Sequence, residues 1–363
     1  MATTRSAEPN RLRELRRVMR AHGCTHLLIS DTVDVHYASG FESSNVSIVL
    51  APGEALLCSD FRYQEALKAH CRRNPPWRPV IITESDFGFL RRFVPRGSRL
   101  GLQSNVVTLD QHDRLRKALP GVKMVRLGTA VSDVFMVKTA GELRKMTRAA
   151  RIACSALRRV VGRIKIGLTE REVRDMLEEQ CDRLGSEHPA FETIVLFGRR
   201  SALPHGVPSN VRLRRGDFVL FDFGCTVDGF CSDITRTFVM GRASAQQREV
   251  YNIVRHAQQQ ARTAVRHGVK ASTIDGIARR SIEQAGYGEQ FGHATGHGVG
   301  YRIHEAPRVS ARTSAKLRTG FVVTVEPGIY IPSLGGVRIE DTVCVTPQGA
   351  RILTRFPRGL TEL

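Results

Sequence analysis

The sequence has no apolar run approaching the roughly 18 residues needed to cross a bilayer, so no membrane-spanning helix is expected. Its start, Met1-Ala2-Thr3-Thr4-Arg5-Ser6, is polar and lacks the apolar segment of a secretory signal, and the expected location is the cytoplasm. None of the eight cysteines makes a Cys-x-x-Cys spacing, which removes the commonest thiol metal and redox motifs. Cys154 and Cys181 fall on apolar helix faces and read as small reduced hydrophobes. Acidic residues are scarce against basic ones, 35 against 55, for a net charge of +20. That balance would suit nucleic acid, an anionic surface or acidic ligands. The arginines, however, are spread over the whole length, cluster only briefly as in Arg13-Glu14-Leu15-Arg16-Arg17, and are not interleaved with aromatics. A specific nucleic-acid partner is therefore not expected.

What is present is a chain of 363 residues, 41% hydrophobic and 25% charged, long enough to bury cores in two domains. Leu12, Leu15, Val18 and Met19 recur at helical spacing before Gly23. The runs 46–50 and 55–58 flank a Pro-Gly turn and read as a hairpin, helical signals return over 61–71, and Pro75-Pro76 interrupts them. An α/β domain is expected over residues 1–133. A long helix is then signalled from Thr139 to near Gly167, and Thr169-Glu170-Arg171-Glu172 is a capping box opening a second helix that stops at Gly185. The pattern recurs, with Ser244 capping a long helix that ends near Gly268 and Ser272 capping a shorter one that ends at Gly286. Two helices followed by a β-rich stretch, repeated after about 100 residues, predict an internal duplication over 134–363.

Each β-rich stretch carries two acids. Asp222 and Asp233 lie in two runs joined across Asp228-Gly229, a hairpin turn signal. Folding there brings them onto facing strands within about two positions of register and on the same face. Glu326 and Glu340 repeat the arrangement around a loop with Pro332 and a Gly pair, and Gly296-His297-Gly298 lies between the two acid pairs. Four carboxylates flanked by Val, Ile and Phe would repel one another in a low-dielectric core, so a cation is needed. Arg236 and Arg338 supply only part of that charge, and divalent metal held by carboxylates and one imidazole is the better reading.

These motifs resemble the pita-bread metallopeptidases. The match rests on Asp222 and Asp233 at a separation of eleven, His297 seven before His304, Glu326-Pro327-Gly328-Ile329-Tyr330 and Gly336-Val337-Arg338-Ile339-Glu340-Asp341. The family includes Xaa-Pro dipeptidases (prolidases), Xaa-Pro aminopeptidases and methionine aminopeptidases. The first domain resembles the creatinase-like N-terminal domain of the Xaa-Pro enzymes, which methionine aminopeptidases lack.

The resemblance implies an α/β (α+β) fold, a creatinase-like domain followed by a pita-bread catalytic domain with pseudo-twofold duplication. It further implies two divalent ions, Mn²⁺ first with Co²⁺, Fe²⁺ or Zn²⁺ as alternatives. Asp222 would chelate one ion, Asp233 and Glu340 would bridge, and His297 and Glu326 would complete the other shell. Glu326 is then the proton shuttle, while His205 and His304 contact the substrate and stabilise the tetrahedral intermediate. Arg338 would orient ligands or pair with a substrate carboxylate, and Arg236 would balance the acids. Xaa-Pro peptides are the implied substrates and a homodimer the implied assembly.

A dipeptidase is expected ahead of an aminopeptidase, because the chain is short and without insertions. A non-catalytic binding module is the reading of a different class, supported only by the charge. His256 and His267 read as surface residues. Phe230, where Tyr is commoner, and Leu196-Phe197-Gly198, in place of a small-residue segment, are departures that bear on substrate fit.

Overall fold

The computed structural model describes residues 10–84 and 86–363, so the expected polar start lies outside the described residues. One compact unit runs to Phe135 and a second spans Met136–Leu363. In the first, helix α1 (Asn10–Ala21) buries Leu12, Leu15 and Met19. Strand β1 (His26–Ile29) leads to α2 (Thr32–Ser39), whose first amides donate to the Asp31 carboxylate. The expected hairpin forms from β2 (Val46–Ala51) and β3 (Glu54–Asp60). Helix α3 (Gln64–Arg73) follows a single turn of 3₁₀ helix, and β4 (Trp77–Ile82), β5 (Arg99–Leu102), α4 (Leu109–Ala118) and β6 (Lys123–Arg126) complete the unit. The six strands make one mixed sheet in the order β4-β3-β2-β1-β5-β6.

The second unit opens with α5 (Ala140–Val161), capped by Thr139, and α6 (Glu170–Arg183), capped by Thr169, both with complete capping boxes. The first of these helices ends at Gly162, not near Gly167. Strands β7 (Ile194–Phe197), β8 (Phe218–Phe223), β9 (Thr226–Val227), β10 (Phe230–Cys231) and β11 (Ile234–Val239) follow. Then come α7 (Ala245–Ala264) and α8 (Ala271–Gln284). The last group is β12 (Gly296–Gly298), β13 (Glu305–Val309), β14 (Val322–Val325), β15 (Gly328–Ile331), β16 (Gly335–Arg338), β17 (Asp341–Val345) and β18 (Ala350–Ile352). Sheets of order β11-β8-β7 and β13-β12-β14-β17-β18 carry the two halves, and each half has its own apolar core.

The duplication extends to single hydrogen bonds. Gly167 and Gly268 donate to the carbonyls of Leu213 and Leu317; Glu170 and Ala271 donate to Val211 and Ala315; Arg171 and Ser272 donate to Ser209 and Thr313. These bonds also correct one expectation. Ser272 lies inside α8, whose cap is Lys270 with no side-chain bond; the amides of Ala271 and Ser272 meet the carbonyls of Ala315 and Thr313.

Candidate metal centre

Two hairpins present the acids. In β8–β11, Asp222 pairs with Thr235 and Phe223 with Ile234, while β9–β10 continues the same register around Asp228 (φ 47°) and Gly229 (φ 74°). Both turn residues have positive φ, as a type I′ hairpin turn requires. Asp233 therefore stands two positions from Asp222 on the same face, as the alternation predicts. In the second hairpin, β14–β17 and β15–β16 also share one register, and continuing the Val325–Asp341 pair by one residue sets Glu326 opposite Glu340. The hairpins meet where Thr237 Oγ1 donates to the Arg338 carbonyl and the Glu340 amide donates to the Thr235 carbonyl.

As a result, ligand oxygens of Asp222, Asp233 and Glu340 lie within 4.8 Å of one another, although the residues are far apart in sequence. His297 joins from β12. Its Nδ1 faces the Gly298 carbonyl at 3.0 Å, which leaves Nε2 aimed at Glu326 (3.2 Å) and Asp233 (3.5 Å). Thr324 Oγ1 donates to Glu326 at 2.9 Å, and Thr235 Oγ1 donates to one oxygen of Glu340 at 2.8 Å. The other, Glu340 Oε1, is buried with no hydrogen-bond partner.

Electrostatics inside the cluster divide. Burial, reinforced by the neighbouring carboxylates, pushes Asp233 and Glu340 well above the ordinary carboxylate range. Burial also opposes ionisation of Glu326, but the His297 imidazole outweighs it and holds that carboxyl down to about 2. His297 is raised in turn, since Glu326 overcomes the opposing effect of burial. A buried carboxylate oxygen without a donor, beside two acids that resist ionisation, is the deficit a divalent cation fills, and the oxygen-rich donor set with one imidazole suits it.

Arg338 is committed to this cluster. Buried at 3% exposure, it meets Asp222 through one terminal nitrogen, donates to the Tyr330 hydroxyl at 2.8 Å through the other, and reaches Thr235 Oγ1 through Nε at 3.2 Å. These bonds brace the Asp222 carboxylate and engage all three guanidinium nitrogens. Arg236 corrects an expectation more directly. It pairs with Asp341 and donates to the carbonyls of Thr235, Glu340, Phe356 and Pro357, touching none of the ligand oxygens.

A pocket of about 580 Å³ opens over the acids. His205 and His304 both line it and both are exposed, and the His304 ring meets His297 edge-on at 4.3 Å. Phe191, Ile194, Pro204 and Ile303 give it apolar wall. Two residues escaped the sequence reading. His293, four positions before His297, bonds the Tyr330 hydroxyl through Nε2 at 2.8 Å and so joins Arg338 to the pocket wall; burial lowers its pKa. Arg308, on β13, lines the pocket exposed and has no ion pair among the described residues. Phe230 packs against Tyr301, and Leu196 sits in a small core with Ile194 and Leu220; neither lines the pocket itself, but Leu196 backs its Ile194 wall. His256 and His267 are exposed.

The model of metallopeptidase family M24 matches residues 144–347, which contain every acid and histidine of this centre. The chain belongs to family M24. Its first unit matches the creatinase/prolidase N-terminal domain over 11–137. Among M24 relatives, an Xaa-Pro dipeptidase of Pyrococcus furiosus is 37% identical over 96% of this chain and 99% of its own. An Xaa-Pro dipeptidase structure from Bacillus anthracis superposes with a TM-score of 0.91 at 33% identity, covering 98% of this chain and all of that one. An X-Pro aminopeptidase from Thermotoga maritima gives 0.85 at 34% identity, covering 96% and 100%. As an M24 protein the chain is a metal-dependent hydrolase of peptides, and the family implies divalent metal at the carboxylate cluster.

Proposed function

We propose that this peptidase cleaves the bond preceding proline and acts as an Xaa-Pro dipeptidase, with two divalent ions, Mn²⁺ first among them, held by Asp222, Asp233, His297, Glu326 and Glu340. Bound there, the ions would supply Lewis acidity at the floor of the pocket. The chain's own residues do the rest. Glu326 would take a proton from the attacking water and return it to the proline nitrogen as the bond breaks. His205 and His304 donate to the substrate carbonyl as it becomes tetrahedral, where such a donor contributes about 3 kcal/mol. The wall of Phe191, Ile194, Pro204 and Ile303 suits a proline ring, which lacks the amide hydrogen that strand-binding proteases use. All eight cysteines are free and buried, which fits a reducing cytoplasm, and light scattering tests the expected homodimer.

The observation that carries the dipeptidase reading is Arg308. A dipeptidase must hold a free carboxylate directly after proline, and Arg308 lines the pocket with no ion pair among the described residues, whereas Arg338 is engaged on three sides. Comparing Ala-Pro, its amide and an Xaa-Pro-Xaa tripeptide on one preparation decides the matter. The dipeptide should be cleaved best. Arg308→Ala should lower its kcat/KM by roughly 10- to 150-fold, the loss of a charge-assisted contact of about 1.5–3 kcal/mol, while barely affecting the amide. Faster cleavage of the tripeptide would assign the chain to the Xaa-Pro aminopeptidases instead.

A further inference from the structure

Away from the metal pocket, one face of α5 lies beside the chain that follows β17. Thr147, Arg151, Ser155 and Arg158 come from the helix, Arg351 and Arg355 from the other segment, and together they line a cavity of about 390 Å³. The helix residues recur at spacings of four, eight and eleven, so one face carries them all. No carboxylate lines this cavity, and none of its four arginines is in an ion pair among the described residues. Arg158 lies over the Phe356 ring, 5.6 Å from its guanidinium carbon. Asp341, whose field reaches Cys154 at the cavity wall, is already met by Arg236, Arg262 and Arg358.

Four exposed arginines line one concavity, and their like charges raise a positive potential there that attracts anions. Planar guanidinium forks match phosphate oxygens in pairs, so four forks are enough to hold two phosphate groups. The volume falls at the small-molecule end of ligand pockets, typically about 300–1,000 Å³, and Ile352 and Leu353 add apolar wall for an organic portion. We propose that the Arg151–Arg158–Arg351–Arg355 cavity is a binding site for a small organic diphosphate, separate from the metal centre. Its lining shares no residue with the pocket over the acids.

Calorimetric titration of the full chain with inorganic pyrophosphate and with ADP, against orthophosphate and sulfate at matched ionic strength, tests this. Because metals also attract phosphates, each titration is run on metal-loaded and on chelator-treated protein. The expected result is that pyrophosphate and ADP bind at least tenfold more tightly than sulfate, and that chelation leaves this binding in place. Arg151→Ser/Arg355→Ser should weaken it at least tenfold while Ala-Pro hydrolysis stays unchanged. Arg151→Lys/Arg355→Lys, which keeps the charge without the fork, should fall between and serves if the serine pair folds poorly. Binding that vanishes on chelation, that sulfate matches, or that both arginine variants retain in full overturns the proposal.

Discussion

At the residue scale, the two acids that resist ionisation make a measurable prediction. In the metal-free chain Asp233 holds its proton, because of burial and its carboxylate neighbours, at pH values where the unfolded chain has already released it. Unfolding then releases a proton, so each rise in pH above about 4 favours the unfolded state until the folded group itself ionises. Asn at this position carries no such proton. Chelator-treated wild type and Asp233→Asn should therefore melt at similar temperatures near pH 5 and separate towards pH 8, wild type lower, by about 1.4 kcal/mol for each unit of displacement. Parallel curves would defeat this account. The proposed ligands could be singled out in the sequence because each sits in a short motif. His293 was not: what gives it meaning is the Tyr330 hydroxyl, delivered from a strand 37 residues later by sheet topology. Arg308 was missed for the same kind of reason, since nothing local marks a lone arginine in a strand as the unpaired one.

Elements were legible where the chemistry is local. The caps at Thr169 and Ser244, and the Asp228-Gly229 turn, each need only a few consecutive residues. The start of α8, which no side chain caps, and the end of α5, which closes locally on Val160 at Gly162, were not. Strand β12 shows how tightly an element can be held. A Cβ on Gly296 would overlap the carbonyl of Thr324 on β14, so the two backbones approach as closely as glycine allows. Gly296→Ala should push away the strand that carries His297. We expect a stability loss of about 1–3 kcal/mol in thermal unfolding, with divalent-ion affinity at least tenfold weaker by equilibrium dialysis. Unchanged affinity would show that the close approach does not position the imidazole.

At the scale of the whole molecule, all five proposed ligands, together with the Thr235, Thr324, Tyr330 and Arg338 side chains that brace them, fall within Met136–Leu363. That unit also has two apolar cores of its own. A fragment of residues 136–363 should therefore bind divalent ions within about tenfold of the full chain, as elemental analysis and calorimetry would show. A fragment that folds by circular dichroism yet binds no metal would contradict this. The alternation of helix pairs and β-rich stretches made the duplication visible in sequence; its one-to-one backbone bonds were not, since they need register.

That register has one more implication. Ile194 stands beside Asp222 just as the Thr295 carbonyl receives the Glu326 amide, so two residues further on, Leu196 in one half occupies the place of His297 in the other. In that register Asp222 and Glu326 coincide, whereas Thr235 stands where the other half has Glu340, Asp233 where it has Arg338, and the buried Leu196 where it has the His297 imidazole. Two ions bound about such an axis would be chemically unequal, and the imidazole-bearing side would fill first. Stepwise addition of metal to the stripped protein should show two transitions in place of one, and His297→Leu, which removes the imidazole, should weaken the first of them.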